Sequence, residues 1–170
     1  MASISFRMFG MLLAIAPSAC ARHHVRSNAV APVLQPMDFF AGRTHGEGEL
    51  AKLFNRPIKV TVDGVGRREG DTLILDQTIR EGRSPLRLRR WTMKSIAANR
   101  FSGSLTDAAG QVNVIVKGPH ADIRYTTKAG YEVRQQLELQ SDGKTILNQL
   151  RVHKFGVRVA TLNETIRKLN

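Results

Sequence analysis

The feature that most constrains this chain is a two-residue alternation of apolar side chains that recurs along most of its length. Ile58, Val60 and Val62 show it, as do Leu73, Leu75, Gln77 and Ile79. It returns in Val112, Val114 and Val116, and again in Tyr131, Val133, Gln135, Leu137 and Leu139. Only an extended strand places every second residue on one face. Turn-forming stretches separate these runs, among them Arg68-Glu69-Gly70-Asp71, Lys117-Gly118-Pro119 and Ser141-Asp142-Gly143. From Gly46 onward the spacing predicts roughly nine or ten strands with no long helix between them. Strands joined by short turns pair antiparallel, and a meander of this many closes on itself to remove its edges. The predicted fold is all-β: an antiparallel up-and-down barrel in a single domain over residues 36–170. Its start, Pro36-Met37-Asp38-Phe39-Phe40-Ala41-Gly42, predicts a short N-terminal helical turn that plugs an end or edge with Phe39 and Phe40.

The apolar faces are interrupted by Gln77, Arg90, Gln135, Asn148 and Lys154. A filled core avoids such groups, because burying an unpaired amide costs a few kcal/mol and an unpaired charge more. A barrel that holds a small molecule needs a few of them to orient it. Aromatic residues make up only 6% of the chain, which argues against an interior crowded with rings. These five residues are therefore the candidate ligand-binding set. A bulge that flips parity near Arg89-Arg90, or a place at the wet rims, is the competing account of each.

The segment Leu86-Arg87-Leu88-Arg89-Arg90-Trp91-Thr92-Met93-Lys94 contains two possible faces. Taking Leu86 and Leu88 as the apolar guide sends Arg90 into the cavity with them. Arg87, Arg89 and Trp91 then face outward, on a basic exterior that includes Arg124, Arg134 and Arg151.

Enzyme chemistry finds no support in the motifs. Gly64-Val65-Gly66-Arg67-Arg68-Glu69-Gly70 is one residue too long for a dinucleotide fingerprint and leads into a turn, not a helix. Ser102-Gly103-Ser104 lacks a nucleophile-elbow frame. His45, His120 and His153 are scattered, so neither catalytic residues nor a metal or other cofactor is predicted.

The N-terminus supplies an address. A short start carrying Arg7, an apolar run over Met8–Ala16 and the small-residue exit Pro17-Ser18-Ala19-Cys20 form a secretory signal peptide, residues 1–19. The run is too short to span a bilayer, which takes about 20 apolar residues. Cys20, the single cysteine, stands where the bacterial lipobox places its lipidated residue, although Pro17 replaces the usual aliphatic. Cleavage after Ala21, through Ala19-x-Ala21, is the alternative. Residues 20–35 then read as a lipidated tether, and Ala21 after the cysteine points to the outer rather than the inner membrane, on the periplasmic face of a bacterial envelope. Loss of Arg7 with the signal takes the net charge from +12 to +11. In an exported protein such a charge, with a pI near 10.9, faces anionic headgroups and not nucleic acid.

The C-terminal stretch Lys154-Phe155-Gly156-Val157-Arg158-Val159-Ala160-Thr161-Leu162 carries a resemblance. Together with Asp38-Phe39-Phe40-x-Gly42, Gly46-x-Gly48, Leu73-x-Leu75-Asp76 and Arg90-Trp91, it resembles an uncharacterised family of bacterial exported lipoproteins, domain of unknown function three-eight-three-three. The likeness runs over about residues 37–168. The chain departs from the family pattern at Ile123-Arg124-Tyr125, where a tryptophan often precedes the tyrosine by two, and at Leu137-Glu138-Leu139-Gln140. The resemblance implies a lipocalin-like barrel and an exported address, without a reaction.

The expectation is a non-enzymatic envelope lipoprotein whose barrel binds an amphiphile, such as a fatty acid or phospholipid. Its partners are the membrane, through the anchor, and that lipid. The alternative is a structural or adaptor module that docks on anionic lipid or on a protein.

Overall fold

The computed structural model describes residues 32–169. The signal peptide, Cys20 and most of the tether lie outside the described residues. One helical turn, α1 (Pro36–Phe39), leads into β1 (Gly42–Lys52), β2 (Ile58–Glu69), β3 (Thr72–Glu81), β4 (Arg87–Ala97) and β5 (Arg100–Leu105). Then follow β6 (Val112–Lys117), β7 (His120–Thr126), β8 (Glu132–Leu139), β9 (Thr145–Lys154) and β10 (Val157–Leu169). Each strand pairs antiparallel with the next, and β10 pairs with β1, so the ten strands form a closed up-and-down barrel. The expected fold class is therefore the observed one.

Alternation decides what faces inward. β6 and β8 bury every second residue without exception, placing Val112, Val114 and Val116, and Val133, Gln135, Leu137 and Leu139, inside. In an antiparallel pair, directly opposed residues share a face, so each strand passes its inward set to its neighbour through the register. A bulge between Arg158 and Ala160 resets this parity in β10, after which Leu162, Glu164 and Ile166 face in opposite Leu150, Asn148 and Ile146.

One end is plugged. Pro36 begins α1 where a missing N–H costs nothing, and Pro36, Met37 and Phe39 are buried with Phe40 behind them. The rings of Phe39 and Phe40 meet edge to face at 5.0 Å. Lys168, near the end of β10, donates from Nζ to the carbonyls of Asp38 at 2.6 Å, Phe39 at 2.9 Å and Ala41 at 2.7 Å. It thereby satisfies the acceptors that so short a helix leaves open. Gly66 of β2 is required here, since a Cβ would lie 1.8 Å from the Phe40 carbonyl oxygen. The plug also reaches further upstream than expected. Leu34, assigned above to the tether, is fully buried and its N–H donates to the Gly118 carbonyl at 2.9 Å. An apolar side chain two residues before Pro36 finds room under the β6–β7 hairpin, so the ordered domain starts before residue 36.

Candidate functional site

The other end, ringed by the β1–β2, β3–β4, β5–β6, β7–β8 and β9–β10 hairpins, opens into a cavity of about 640 Å³ that runs down to Pro36 and Phe40. Leu73, Leu75, Met93, Val114, Ile123 and Leu137 supply apolar wall. The polar groups fall into a rim and an inner set.

At the rim, the wall carries the cations Lys52, Arg87 and Lys154 and the carboxylates Glu81 and Asp107. Glu81 receives Lys52 Nζ at 3.2 Å and Arg87 at 3.1 Å. Partial burial would raise its carboxyl, but the two cations outweigh that and hold it below the usual value. Arg87 reaches Asp107 as well, at 3.2 Å. Lys154 donates to the Ala129 carbonyl at 2.5 Å and stands 4.7 Å from the Tyr131 ring centre, which ties β9 to the β7–β8 hairpin.

The inner set begins with Arg89. Its Nε and the Trp91 indole Nε1 both donate to Gln77 Oε1, each at 3.0 Å, and its guanidinium lies 5.8 Å from the Trp91 ring. Gln77 thus positions a cation and an aromatic ring at once. Trp91 in turn meets Tyr125 edge to face at 6.1 Å. Burial raises the Tyr125 hydroxyl above its ordinary value, keeping it a neutral donor.

Deeper still, Asn148 and Glu164 oppose each other on β9 and β10, and Asn148 Nδ2 donates to Glu164 Oε2 at 2.7 Å. Both are more than nine-tenths buried. Glu164 fits because β1 opposes it with glycine. A Cβ at Gly46 would lie 2.0 Å from Glu164 Oε1, and one at Gly48 would strike the β10 backbone. Burial raises the Glu164 carboxyl, and the Asn148 hydrogen bond and the charges of Arg89 and His45 offset this only in part. Beside this pair, Gln135 is buried on β8, and neither Gln135 Oε1 nor Asn148 Oδ1 has a hydrogen-bond partner among the described residues.

Of the five residues proposed from sequence, the structure places Gln77, Gln135, Asn148 and Lys154 on the cavity wall. Arg90 lies on the outer face, where its side chain pairs with Asp76 through Nη2 at 3.0 Å. The parity expected for this strand is inverted, and the reason is register. Leu75, Gln77 and Ile79 of β3 oppose Trp91, Arg89 and Arg87 of β4, so these share the inward face, while Asp76 opposes Arg90 outside. Leu86 and Leu88, the guide used above, are 53% and 75% exposed. The expected basic exterior accordingly loses Arg87 and Arg89 to the lumen.

Reading the sequence also missed Glu164. The signal was present: Leu162, Glu164 and Ile166 form an apolar alternation with one polar break, as Ile146, Asn148 and Leu150 do. Gly46-x-Gly48 marked the wall that makes room for it.

The chain belongs to the family described as "Protein of unknown function (DUF3833)", which matches residues 14–168. No curated protein matches the sequence. Among solved structures, it is similar to a protein of unknown function from the DUF3598 family of Nostoc punctiforme, with a TM-score of 0.63 at 16% identity over 81% of this chain. This chain spans 50% of the length of that one. It is also similar to the S-type phycobiliprotein lyase CpeS of Guillardia theta, with a TM-score of 0.61 at 2% identity over 79% of this chain and 90% of the other. A third similar structure is Rv2717c of M. tuberculosis, with a TM-score of 0.61 at 15% identity over 83% of this chain and 99% of the other. At these identities the likeness establishes the barrel fold.

Proposed function

We propose that the barrel binds an amphiphile in its lumen, with an acyl chain against the apolar wall and an acidic headgroup at the cations near the mouth. The observation that carries this reading is the cavity itself, of about 640 Å³ and within the range of small-molecule sites. The headgroup contact falls to Arg89 and Arg87 instead of Arg90. Arg89 is held by Gln77 through Nε alone, and its terminal nitrogens have no partner among the described residues, so they are free to grip a carboxylate or phosphate. The same reading keeps the chain a binding protein without a reaction of its own, anchored through lipid at Cys20 to the bacterial envelope.

Displacement of a fluorescent fatty acid by stearate tests it. Arg89→Met is expected to weaken binding about tenfold, the scale of one lost charge-assisted hydrogen bond. Arg90→Met is expected to bind as wild type does. Failure of the wild-type protein to bind any fatty acid or lysophospholipid would remove the reading. Metabolic labelling with a palmitate analogue, lost in Cys20→Ser, tests the anchor separately.

A second reading, docking of the exterior on anionic lipid, draws on two observations. Arg124, Arg134 and Arg151 are directly opposed on β7, β8 and β9, a row of like charges that costs stability unless an anion covers it. Phe54 and Phe155 stand 97% and 93% exposed at adjacent hairpin tips, tied by the Leu53 N–H to Val159 carbonyl bond of 2.8 Å. Both hold positive φ, of 63° and 51°, which a bulky residue adopts at a cost. Sedimentation with anionic vesicles, lost when the three arginines become glutamine, checks this reading.

A further inference from the structure

The deepest polar groups, Gln135, Asn148 and Glu164, have no role in gripping an acidic headgroup, because they present amides and a buried carboxyl where Arg89 and the rim present cations. We propose that Gln135 and Asn148 form a second subsite in the lumen that takes a hydroxyl group on the ligand's chain, so that the preferred amphiphile is a hydroxylated acyl chain. This rests on the lumen being the binding site.

The geometry is that of a pair made for one small polar group. Gln135 opposes Leu150 across the β8–β9 ladder, and Asn148 lies two residues from Leu150 on the same inward face. Such diagonal neighbours stand about 7–8 Å apart at the backbone, close enough for both amides to reach one atom between them. Both side chains are more than nine-tenths buried, both line the cavity, and each keeps one oxygen without a partner among the described residues. Asn148 cannot simply turn away, since its amide nitrogen is engaged by Glu164 at 2.7 Å. Glu164 in turn is fixed over Gly46 and Gly48. The subsite is therefore braced from the β1 wall through β10 to β9.

Three candidate groups can be compared at this point. A methylene chain leaves both amide oxygens unpaired, at a cost of a few kcal/mol in a dry pocket. An ammonium group donates only, and would have to be stripped of water to enter. A hydroxyl both donates and accepts. It can give its hydrogen to Asn148 Oδ1, whose amide nitrogen is already engaged by Glu164, while the Gln135 amide turns its NH2 to the hydroxyl oxygen. Burial disfavours the charged form of the Glu164 carboxyl, which weakens the attraction it would offer an ammonium. The hydroxyl is the group that matches.

The test is competition for the lumen between stearic acid and a panel of hydroxystearic acids that differ in hydroxyl position. The wild-type protein is expected to prefer one isomer over stearic acid by about tenfold, the scale of one net hydrogen bond. Gln135→Leu should abolish that preference, so that within the variant the hydroxystearic acid and stearic acid compete equally. Because Gln135 Oε1 has no partner among the described residues, this variant strands none of them and is expected to fold. Should its fold fail, Gln135→Met serves as the second variant. Equal affinity for stearic acid and every isomer would overturn the hydroxyl subsite while leaving the lumen site standing. A preference that survives the change at Gln135 would overturn it as well. Absence of binding by all the acids would instead strike the lumen reading itself.

Discussion

At the plugged end, Leu34 and Ile146 are fully buried, Phe39 and Phe40 pack edge to face, and Lys168 meets three backbone carbonyls. Halfway up the same barrel, Gln135 and Asn148 hold buried oxygens without partners among the described residues, and Glu164 keeps a carboxyl out of water. Both regions are built from the same alternating strands. One uses the inward positions to fill space and satisfy every group in reach. The other leaves space open and polar atoms unmatched, which weakens the fold. A chain selected for stability alone has no reason to keep that second arrangement, so the comparison separates the half of the barrel that is packed shut from the half that the proposed ligand would occupy.

The sharpest way to break that division is Ile146→Ala. Ile146 has no exposed surface, so its truncation leaves a cavity and should cost about 2–5 kcal/mol in denaturant unfolding. A smaller loss would mean that the plugged end is looser than its packing suggests. Lys168→Met follows, with about 1–3 kcal/mol expected from stranding the carbonyls of Asp38, Phe39 and Ala41. Hydrogen exchange should show the segment around α1 loosening first.

The lumen should respond to pH. The folded Glu164 carboxyl lies above its ordinary value of 4.5, so the folded state holds its proton more tightly than the unfolded chain does. Its contribution is fully present below the unfolded value and is lost as pH rises through the raised folded value. Glu164→Gln keeps an acceptor for Asn148 and should flatten that dependence in a series of melts from acid to neutral pH. The smallest effect belongs to Gln135→Leu. Removing an unmatched amide should leave stability unchanged or raise it by up to about 1 kcal/mol. A clear loss would show that Gln135 supports the fold after all, and would erase the contrast between the two regions.

How much of this was legible in the sequence depended on the kind of fact. Alternation in Val112–Val116 and Tyr131–Leu139 was sufficient for the strands, and turn chemistry between them for the antiparallel order. The plug could be anticipated from Phe39 and Phe40, though not Leu34, whose burial depends on a hairpin some eighty residues away. In β4 the difficulty was specific. Its two faces carry comparable apolar content, Leu86 and Leu88 against Trp91 and Met93, so local pattern could not choose between them. Only the pairing of Leu75 with Trp91 does, and register between strands is a tertiary fact. Glu164 was within reach of the rule that found Asn148, applied one strand further on. The bulge at Val159 hid it, because alternation counted from Val157 would put Glu164 on the wrong face.

The seam between β1 and β10 has a consequence for how the chain acquires this shape. Its ten paired positions, from Arg43 with Leu169 to Lys52 with Ala160, join segments more than a hundred residues apart, whereas every other ladder links neighbours in sequence. The hairpins can form early and locally, but the ring waits for the thirteen residues of β10, and long-range pairing of this kind is slow. β10 also carries both Glu164 and Lys168, so the lumen's buried carboxyl and the cap on the plug arrive together at that final step. A chain cut before Val157 would lose far more than one strand in ten. It would leave β1 and β9 as two bare edges, with an unplugged, open sheet between them, ready to pair with another copy.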